Sequence, residues 1–220
     1  MLHALPLDGT MWRSVVNGFG HDVVAPDLYQ LGDTLEEWAA GVLHLAGSGP
    51  LVVVGNSVGG SCAIEIARLA PESVRHLVLI GSKAGHRPDP DFRDAAVRLL
   101  ETQGMTAAWP VYWEPLLGPC AAPATKDWIG RIAHAQRVED VVRGVRAFHG
   151  RADRSAFLAE WPDPVTVVSG EHDIAPRRSR ALAQSLRDGR HVALQGMGHY
   201  APMEAPAAIR ELIERAVATA

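Results

Sequence analysis

Short apolar runs alternate with longer amphipathic stretches along most of this chain. Runs rich in Val, Leu and Ile predict strands at residues 21–28, 50–57, 74–82, 165–173 and 190–199. Runs that are apolar at consecutive positions are typical of strands buried on both faces of a parallel sheet. Helical patterns lie at residues 33–47, 58–72, 176–189 and 204–220. The alternation predicts an α/β fold, with an open and mostly parallel sheet flanked by helices and right-handed crossovers.

The alternation is interrupted between residues 83 and 164. This segment holds several Trp and Pro residues, reads as mostly helical at 93–105 and 131–148, and contains no convincing strand. We interpret it as a helical cap and its connection to the sheet, inserted into a single domain that spans residues 1–220. In the helix predicted at 33–47, Asp33 is the expected N-cap and Gly47 the expected C-cap.

Composition narrows the classes of partner. The chain has 220 residues, of which 47% are hydrophobic, enough for one sizeable core. Its 21 Lys and Arg against 25 Asp and Glu leave no basic excess that would indicate nucleic acid. Cys62 and Cys120 match no metal or redox spacing, no leader pattern opens the sequence, and the apolar runs fall short of the roughly 18 residues of a membrane span. We expect a soluble, cytoplasmic protein that binds neither nucleic acid nor membrane; the oligomeric state stays open.

The first candidate catalytic residue is Ser57, which lies where a predicted strand ends and a helix begins. The flanking Gly55, Gly59 and Gly60 give the pattern G-x-S-x-G, which places a serine on a sharp strand-to-helix turn with its oxygen exposed. A serine hydroxyl is a weak nucleophile at neutral pH, so it needs a nearby base that is itself oriented by a carboxylate.

The chain supplies both groups downstream. Asp173 ends one predicted strand, and His199 follows the last strand, in a loop that also contains Gly196 and Gly198. Ligands bind beyond the carboxyl ends of the strands in such sheets, so these side chains are expected at one edge. Asp89 and Asp91, after the strand at 74–82, are alternative positions for the acid.

Three stretches, GNSVGG, GEHDIAP and GMGHYAPMEAP, resemble the nucleophile elbow, acid loop and histidine loop of the α/β-hydrolase superfamily. The N-terminal HALPLDGTMW is similar to its oxyanion loop, except that Ala4 stands where glycine is usual. The stretch HGRADRSAFLAEWPDPVTVV resembles the segment joining cap to sheet in the small esterase and lactonase branch that includes 3-oxoadipate enol-lactonases. The superfamily hosts many reactions, so the resemblance specifies the substrate poorly.

The resemblance implies a role for each matching residue. Ser57 would be the nucleophile, His199 the general base and acid, and Asp173 the carboxylate that orients the imidazole. The backbone N–H groups of Leu5 and Val58 would form the oxyanion hole, whereas we interpret His3 as structural.

The resemblance also implies a small carboxylic ester or lactone as substrate, with no metal and no organic cofactor. Acyl transfer, thioester hydrolysis, C–C bond hydrolysis and ligand binding without turnover remain alternatives. The aromatic stretch WPVYWEPLLGP is the expected pocket wall, and the residues expected to bind substrate are Trp109, Tyr112, Trp113 and Trp128.

The N-terminus is shorter than the resemblance implies. In the superfamily a central strand leads into the oxyanion loop and two further strands usually precede it, whereas only Met1 and Leu2 precede His3 here. We expect a sheet without the first two family strands and a short N-terminal stub beside the strand at 50–57.

Overall fold

The computed structural model describes residues 1–220 and contains one sheet of four parallel strands. The strands lie side by side in chain order and are β1 Leu51–Asn56, β2 Val74–Ile80, β3 Val165–Gly170 and β4 Gly189–Leu194. The first three fall within runs predicted to be strands, and β4 begins one residue before the run predicted at 190–199. The predicted α/β fold with a parallel sheet flanked by helices is therefore confirmed.

Ten α-helices connect or cover the strands. They are α1 Arg13–Val16, α2 Leu35–Ala46, α3 Val58–Leu69, α4 Pro90–Tyr112, α5 Pro123–Ala135, α6 Val138–Gly150, α7 Ser155–Ala159, α8 Pro176–Gln184, α9 Ala201–Glu204 and α10 Pro206–Ala218. Helices α3 and α10 pack on β1 and β2, α8 packs on β3 and β4, and α2 covers α3. No helix has both the length and the apolar character that a membrane crossing would require.

The prediction of a strand at residues 21–28 is wrong. These residues form no regular secondary structure up to residue 27, and they lead into a 3₁₀ turn at Leu28–Leu31. A strand needs a partner along its length, and the neighbouring N-terminal residues bond to this segment at two points only. The Met1 ammonium group donates to the Val24 carbonyl, and the His3 ring accepts the Leu28 N–H.

The expected N-terminal stub is present beside β1. Leu2 forms an isolated parallel bridge with Gly55, donating its N–H to the Val54 carbonyl at 2.8 Å and accepting from the Asn56 N–H at 3.1 Å. The stub therefore meets only the end of β1 that leads into Ser57. Because Leu2 is fully buried, its side chain also anchors this short pairing in the core.

Helix α2 begins one residue later than predicted. Thr34, and not Asp33, is the N-cap, because its hydroxyl accepts the Glu37 N–H while the Glu37 carboxylate accepts the Thr34 N–H. This reciprocal pair is a capping box, which satisfies two backbone donors at once. Gly47 caps the other end with a φ of 72°, as predicted.

Helices α4 to α7 occupy the predicted cap segment, residues 83–164, between β2 and β3. Helix α4 is kinked at Gly104, which has a φ of 73°, and it packs on α5 and α6. The helical stretch 131–148 is divided between α5 and α6, because Gln136 and Arg137 adopt extended backbone angles.

A buried ion pair joins the end of the cap segment to the helices beside the sheet. Arg154 donates to the carboxylate of Glu65 on α3 at 2.5 Å and to Glu36 on α2 at 3.2 Å. The Glu65 side chain is only 1% exposed, and Arg68 also pairs with it at 2.7 Å. Two guanidinium groups therefore compensate one buried carboxylate, as burial of a charge requires.

Candidate active site

Ser57 occupies the sharp turn between β1 and α3. Its φ of 56° and ψ of −117° make it the one non-glycine residue of the chain with a positive φ. Such a conformation costs on the order of 1–3 kcal/mol and persists only where the surroundings impose it. Here the Ser57 N–H donates to the Ile80 carbonyl at 2.8 Å, which ties the turn to the end of β2.

The glycines around Ser57 allow backbone segments to touch. A Cβ atom at Gly55 would overlap the backbone of Gly59, and one at Gly59 would overlap the carbonyl of Leu2. Side chains at these positions would therefore push α3 away from both β1 and the N-terminal stub. The G-x-S-x-G pattern thus reflects close packing of the turn.

His199 and Asp173 are brought together at the carboxyl edge of the sheet. Nδ1 of His199 lies 2.6 Å from Oδ1 of Asp173, and the two side chains are only 4% and 5% exposed. Gly81, with a φ of 56°, lies directly beside the pair, and a Cβ atom there would press on both side chains. With Nδ1 engaged, Nε2 is the ring nitrogen of His199 left to act in the cavity it lines.

The loop that carries His199 is held from two sides. The His199 N–H donates to the Leu116 carbonyl at 2.8 Å, and its carbonyl accepts from the Asn56 side-chain amide at 3.0 Å. Glu204 accepts from the N–H groups of Gly198 and Gly118 at 2.7 and 3.2 Å. The loop is therefore fixed both to the strand before Ser57 and to the cap segment.

Neither of the alternative acids contacts this histidine. Asp89 caps α4 by accepting the Phe92 N–H at 3.0 Å, and Asp91 is an exposed residue in the first turn of that helix. The carboxylate hydrogen-bonded to His199 is that of Asp173.

Ser57 and His199 line one cavity of about 240 Å³. Its wall is mostly apolar and includes Tyr112, Trp113, Leu116, Val145 and Phe148. Phe92 and Ile174 also line it and are 48% and 57% exposed, so the cavity opens to solvent beside them.

Two of the four predicted substrate-binding residues lie in this wall. Tyr112 and Trp113 line the cavity, whereas Trp109 is buried outside it and borders a separate recess beside α5. Trp128, on α5, is half-buried and packs against the hydrophobic core. The presence of aromatic residues in the sequence does not show which of them face the cavity, because this depends on the packing of the helices that carry them.

Of the two residues expected to supply the oxyanion hole, Val58 follows Ser57 directly and Leu5 lines the same cavity as Ser57. Val58 is the first residue of α3, where N–H groups have no partner within the helix. Leu5 lines the cavity, and its carbonyl accepts from the buried Tyr200 hydroxyl at 3.0 Å, which fixes the N-terminal loop. His3 is fully buried and accepts the Leu28 N–H on Nε2 at 2.9 Å, in agreement with a structural role.

Several cavity residues were not singled out from the sequence. Lys83, Phe148, His149 and Ile174 all line the cavity. Lys83 and Ile174 follow the carboxyl ends of β2 and β3, so their positions at strand ends are the signal that marks them. Phe148 and His149 come from α6, whose orientation depends on its packing against α4.

Burial changes the protonation of His149. Its pKa is lowered from 6.5 to about 4, chiefly by burial and then by the nearby Arg151 guanidinium. A neutral imidazole therefore faces the cavity at neutral pH.

A model of the alpha/beta hydrolase family matches residues 1–212. Lipase LipV of Mycobacterium tuberculosis is 30% identical in an alignment covering 53% of this chain and 52% of the lipase. The 2-hydroxymuconate semialdehyde hydrolase of Pseudomonas sp. strain CF600 is 35% identical over 42% of this chain and 28% of that protein. The chain thus matches about half of the first relative's length and less than a third of the second's.

Solved structures resemble the chain over nearly its whole length. An esterase from Thermogutta terrifontis, solved with malate bound, has a TM-score of 0.89 at 25% identity, covering 99% of this chain and 88% of the esterase. The enol-lactonase from Burkholderia xenovorans LB400 has a TM-score of 0.81 at 20% identity, covering 99% and 90%, which indicates a shared fold.

Proposed function

Because the chain belongs to the alpha/beta hydrolase family, we propose that it is a serine hydrolase of small carboxylic esters or lactones. The observation that carries the proposal is the arrangement around one cavity: a strained Ser57 and a His199 whose Nδ1 is held by Asp173. This combination supplies a nucleophile, a base and an orienting carboxylate. The similarity to esterases and a lipase supports the same chemistry.

The reaction begins when Nε2 of His199 takes the Ser57 proton as the hydroxyl oxygen attacks the ester carbonyl. The resulting oxyanion accepts hydrogen bonds from the N–H groups of Val58 and Leu5, each worth roughly 3 kcal/mol of transition-state stabilisation. Asp173 stabilises the imidazolium and holds its tautomer. The intermediate collapses when His199 protonates the departing alcohol, which leaves an acyl group on Ser57.

Water completes the cycle. His199 removes a proton from a water molecule as the water oxygen attacks the acyl carbon. The second tetrahedral intermediate collapses when His199 returns that proton to the Ser57 oxygen, which releases the acid and restores the free serine. Acyl transfer, thioester cleavage and C–C bond hydrolysis use the same residues and differ in the acceptor or in the bond that breaks.

A substrate panel tests the proposal. Wild type, Ser57→Ala and Ser61→Ala would be assayed with p-nitrophenyl esters, lactones, thioesters and a C–C substrate of the vinylogous diketone type. Ser61 is the matched control, because it is a buried serine on α3 whose hydroxyl has no hydrogen-bond partner.

Ester or lactone turnover that disappears in folded Ser57→Ala and survives in Ser61→Ala is the expected result. Retention of more than a few percent of activity in folded Ser57→Ala would refute Ser57 as the nucleophile. Labelling of Ser57 by a fluorophosphonate without turnover of any substrate would favour a binding protein.

A further inference from the structure

A second recess, of about 740 Å³, adjoins the cavity that contains Ser57. It lies between the segment that follows β2, the end of α6 and helix α8. Lys83, Phe92, Phe148 and His149 line both spaces. The two spaces are therefore neighbours, separated by no more than these four side chains.

Cationic side chains outnumber carboxylates around the recess. The cations are Lys83, Arg87, Arg151 and Arg178, and the carboxylates are Asp89 and Asp153. Both carboxylates already accept backbone N–H groups, Asp89 from Phe92 and Asp153 from His86 and Ser155. The two histidines of the lining, His86 and His149, have pKa values lowered chiefly by burial, which favours their neutral forms.

Arg151 is buried without an ionic partner. The residue is only 8% exposed, and its guanidinium group donates to the carbonyls of Phe148 and Gly85, while its Nε atom is buried and has no hydrogen-bond partner. Burial lowers the pKa of this group to about 10. A buried charge is normally paired, as that of Glu65 is with Arg154.

Lys83 is crowded by like charges. Burial lowers its pKa first, the Arg178 and Arg151 guanidinium groups lower it further, and the Asp173 carboxylate raises it. Asp173 is already hydrogen-bonded to His199, so a second anion bound between Lys83 and Arg178 would relieve the repulsion between these like charges.

We propose that this recess is a subsite for a carboxylate at the far end of the substrate's acyl chain, bound by Lys83 and Arg178. The inference rests on the proposed function and narrows it, since the preferred substrates become half-esters of dicarboxylic acids. The apolar cavity holds the methylene segment, while the buried Arg151 adds to the positive potential that attracts the carboxylate.

The experiment compares two substrates that have the same acyl chain and differ in the charge at its far end. One is the mono-p-nitrophenyl ester of glutaric acid, and the other is the same ester with its free carboxylate methylated. The measured quantity is the ratio of kcat/KM for the anionic substrate to that for the neutral one, in wild type, Lys83→Met, Arg178→Gln and Arg180→Gln. Arg180 is the control because it is exposed on the same helix as Arg178 but lies outside the recess.

We expect wild type to prefer the anionic ester by roughly tenfold or more, the usual scale for a charge-assisted hydrogen bond. Lys83→Met and Arg178→Gln each reduce this ratio several-fold, and Arg180→Gln leaves it unchanged. The preference also weakens with added NaCl, because salt screens charges near the surface.

A wild-type ratio near one, or a ratio that Lys83→Met and Arg178→Gln leave unchanged, overturns the subsite. The proposed function survives that result if the neutral ester is still hydrolysed by wild type and not by Ser57→Ala. If neither ester is hydrolysed, calorimetric titration with glutarate decides. Binding that is lost in Arg178→Gln supports the subsite, and no binding to wild type rejects it.

Discussion

Nδ1 of His199 and Oδ1 of Asp173 lie 2.6 Å apart, in a pair of side chains almost completely removed from solvent. A carboxylate in this position accepts the Nδ1 proton and fixes the tautomer in which Nε2 is free to accept a proton. Their short distance and their burial support the proposal that Asp173 orients His199.

Replacing Asp173 by Asn therefore preserves the shape of the site but favours the wrong tautomer. We expect kcat/KM for a short ester to fall by about 10³–10⁴, following the serine protease precedent. Asp89→Asn is the control, since Asp89 caps α4 and does not contact His199. A nearly silent Asp173→Asn together with an inactive Asp89→Asn would transfer the role to Asp89.

The proposed nucleophile, Ser57, has a strained backbone conformation. Glycine adopts positive φ angles without the steric cost that Cβ imposes, so Ser57→Gly should be inactive and yet more stable than Ser57→Ala by about 1 kcal/mol. Urea unfolding of both variants measures this difference. Equal stabilities would show that the turn stores no strain.

The cavity volume limits the acyl group. A space of about 240 Å³ with mostly apolar walls accommodates short chains better than long ones. We expect kcat/KM for neutral p-nitrophenyl esters to be highest for short acyl groups and to decline towards long ones. Faster hydrolysis of long-chain esters would contradict an acyl site limited to this cavity.

Motifs that act through their immediate neighbours were readable from the sequence. Gly55 is required by a contact with Gly59 within the turn itself, and Asp173 and His199 follow strands whose apolar runs are unmistakable. These local features were enough to predict the fold, the turn at Ser57 and the pair of side chains at the edge of the sheet.

Features that depend on distant partners were not readable. Residues 21–28 have the composition of a strand, but whether they form one depends on a neighbouring strand that the N-terminal stub does not provide. Trp109 and Trp128 were expected in the pocket because of their type, whereas the kink at Gly104 and the packing of α5 decide where they lie.

The ion pair between Arg154 and Glu65 should contribute strongly to stability. Arg154→Met leaves the buried Glu65 carboxylate with Arg68 alone, and removing one partner of a buried pair typically costs about 3–5 kcal/mol. Because Arg68 remains, we expect roughly 2–3 kcal/mol in chemical denaturation. Arg215→Met, which breaks an exposed pair with Glu211, should cost less than about 1 kcal/mol. Similar losses in the two variants would mean that the burial of Glu65 has no energetic consequence.

His149 should make the folded protein sensitive to mild acid. Its pKa falls from the ordinary 6.5 to about 4 on folding, chiefly through burial and then through the Arg151 charge. Between these two values the unfolded chain binds a proton that the folded chain does not, so the free energy of unfolding decreases as the pH falls from about 6.5 to about 4. Above pH 6.5 neither state is protonated at this residue, and its contribution is constant.

His149→Leu removes this proton uptake and places an apolar side chain of similar size against Phe148. We therefore expect the unfolding free energy of the variant to decline less steeply than that of wild type between pH 6.5 and 4, while the two differ by a constant amount at higher pH. Denaturant titrations at half-unit pH intervals measure both curves. Parallel curves through the acidic range would show that His149 is protonated equally in the folded and unfolded states. The burial of His149 beside Arg151 would then not be a cause of the loss of stability in acid.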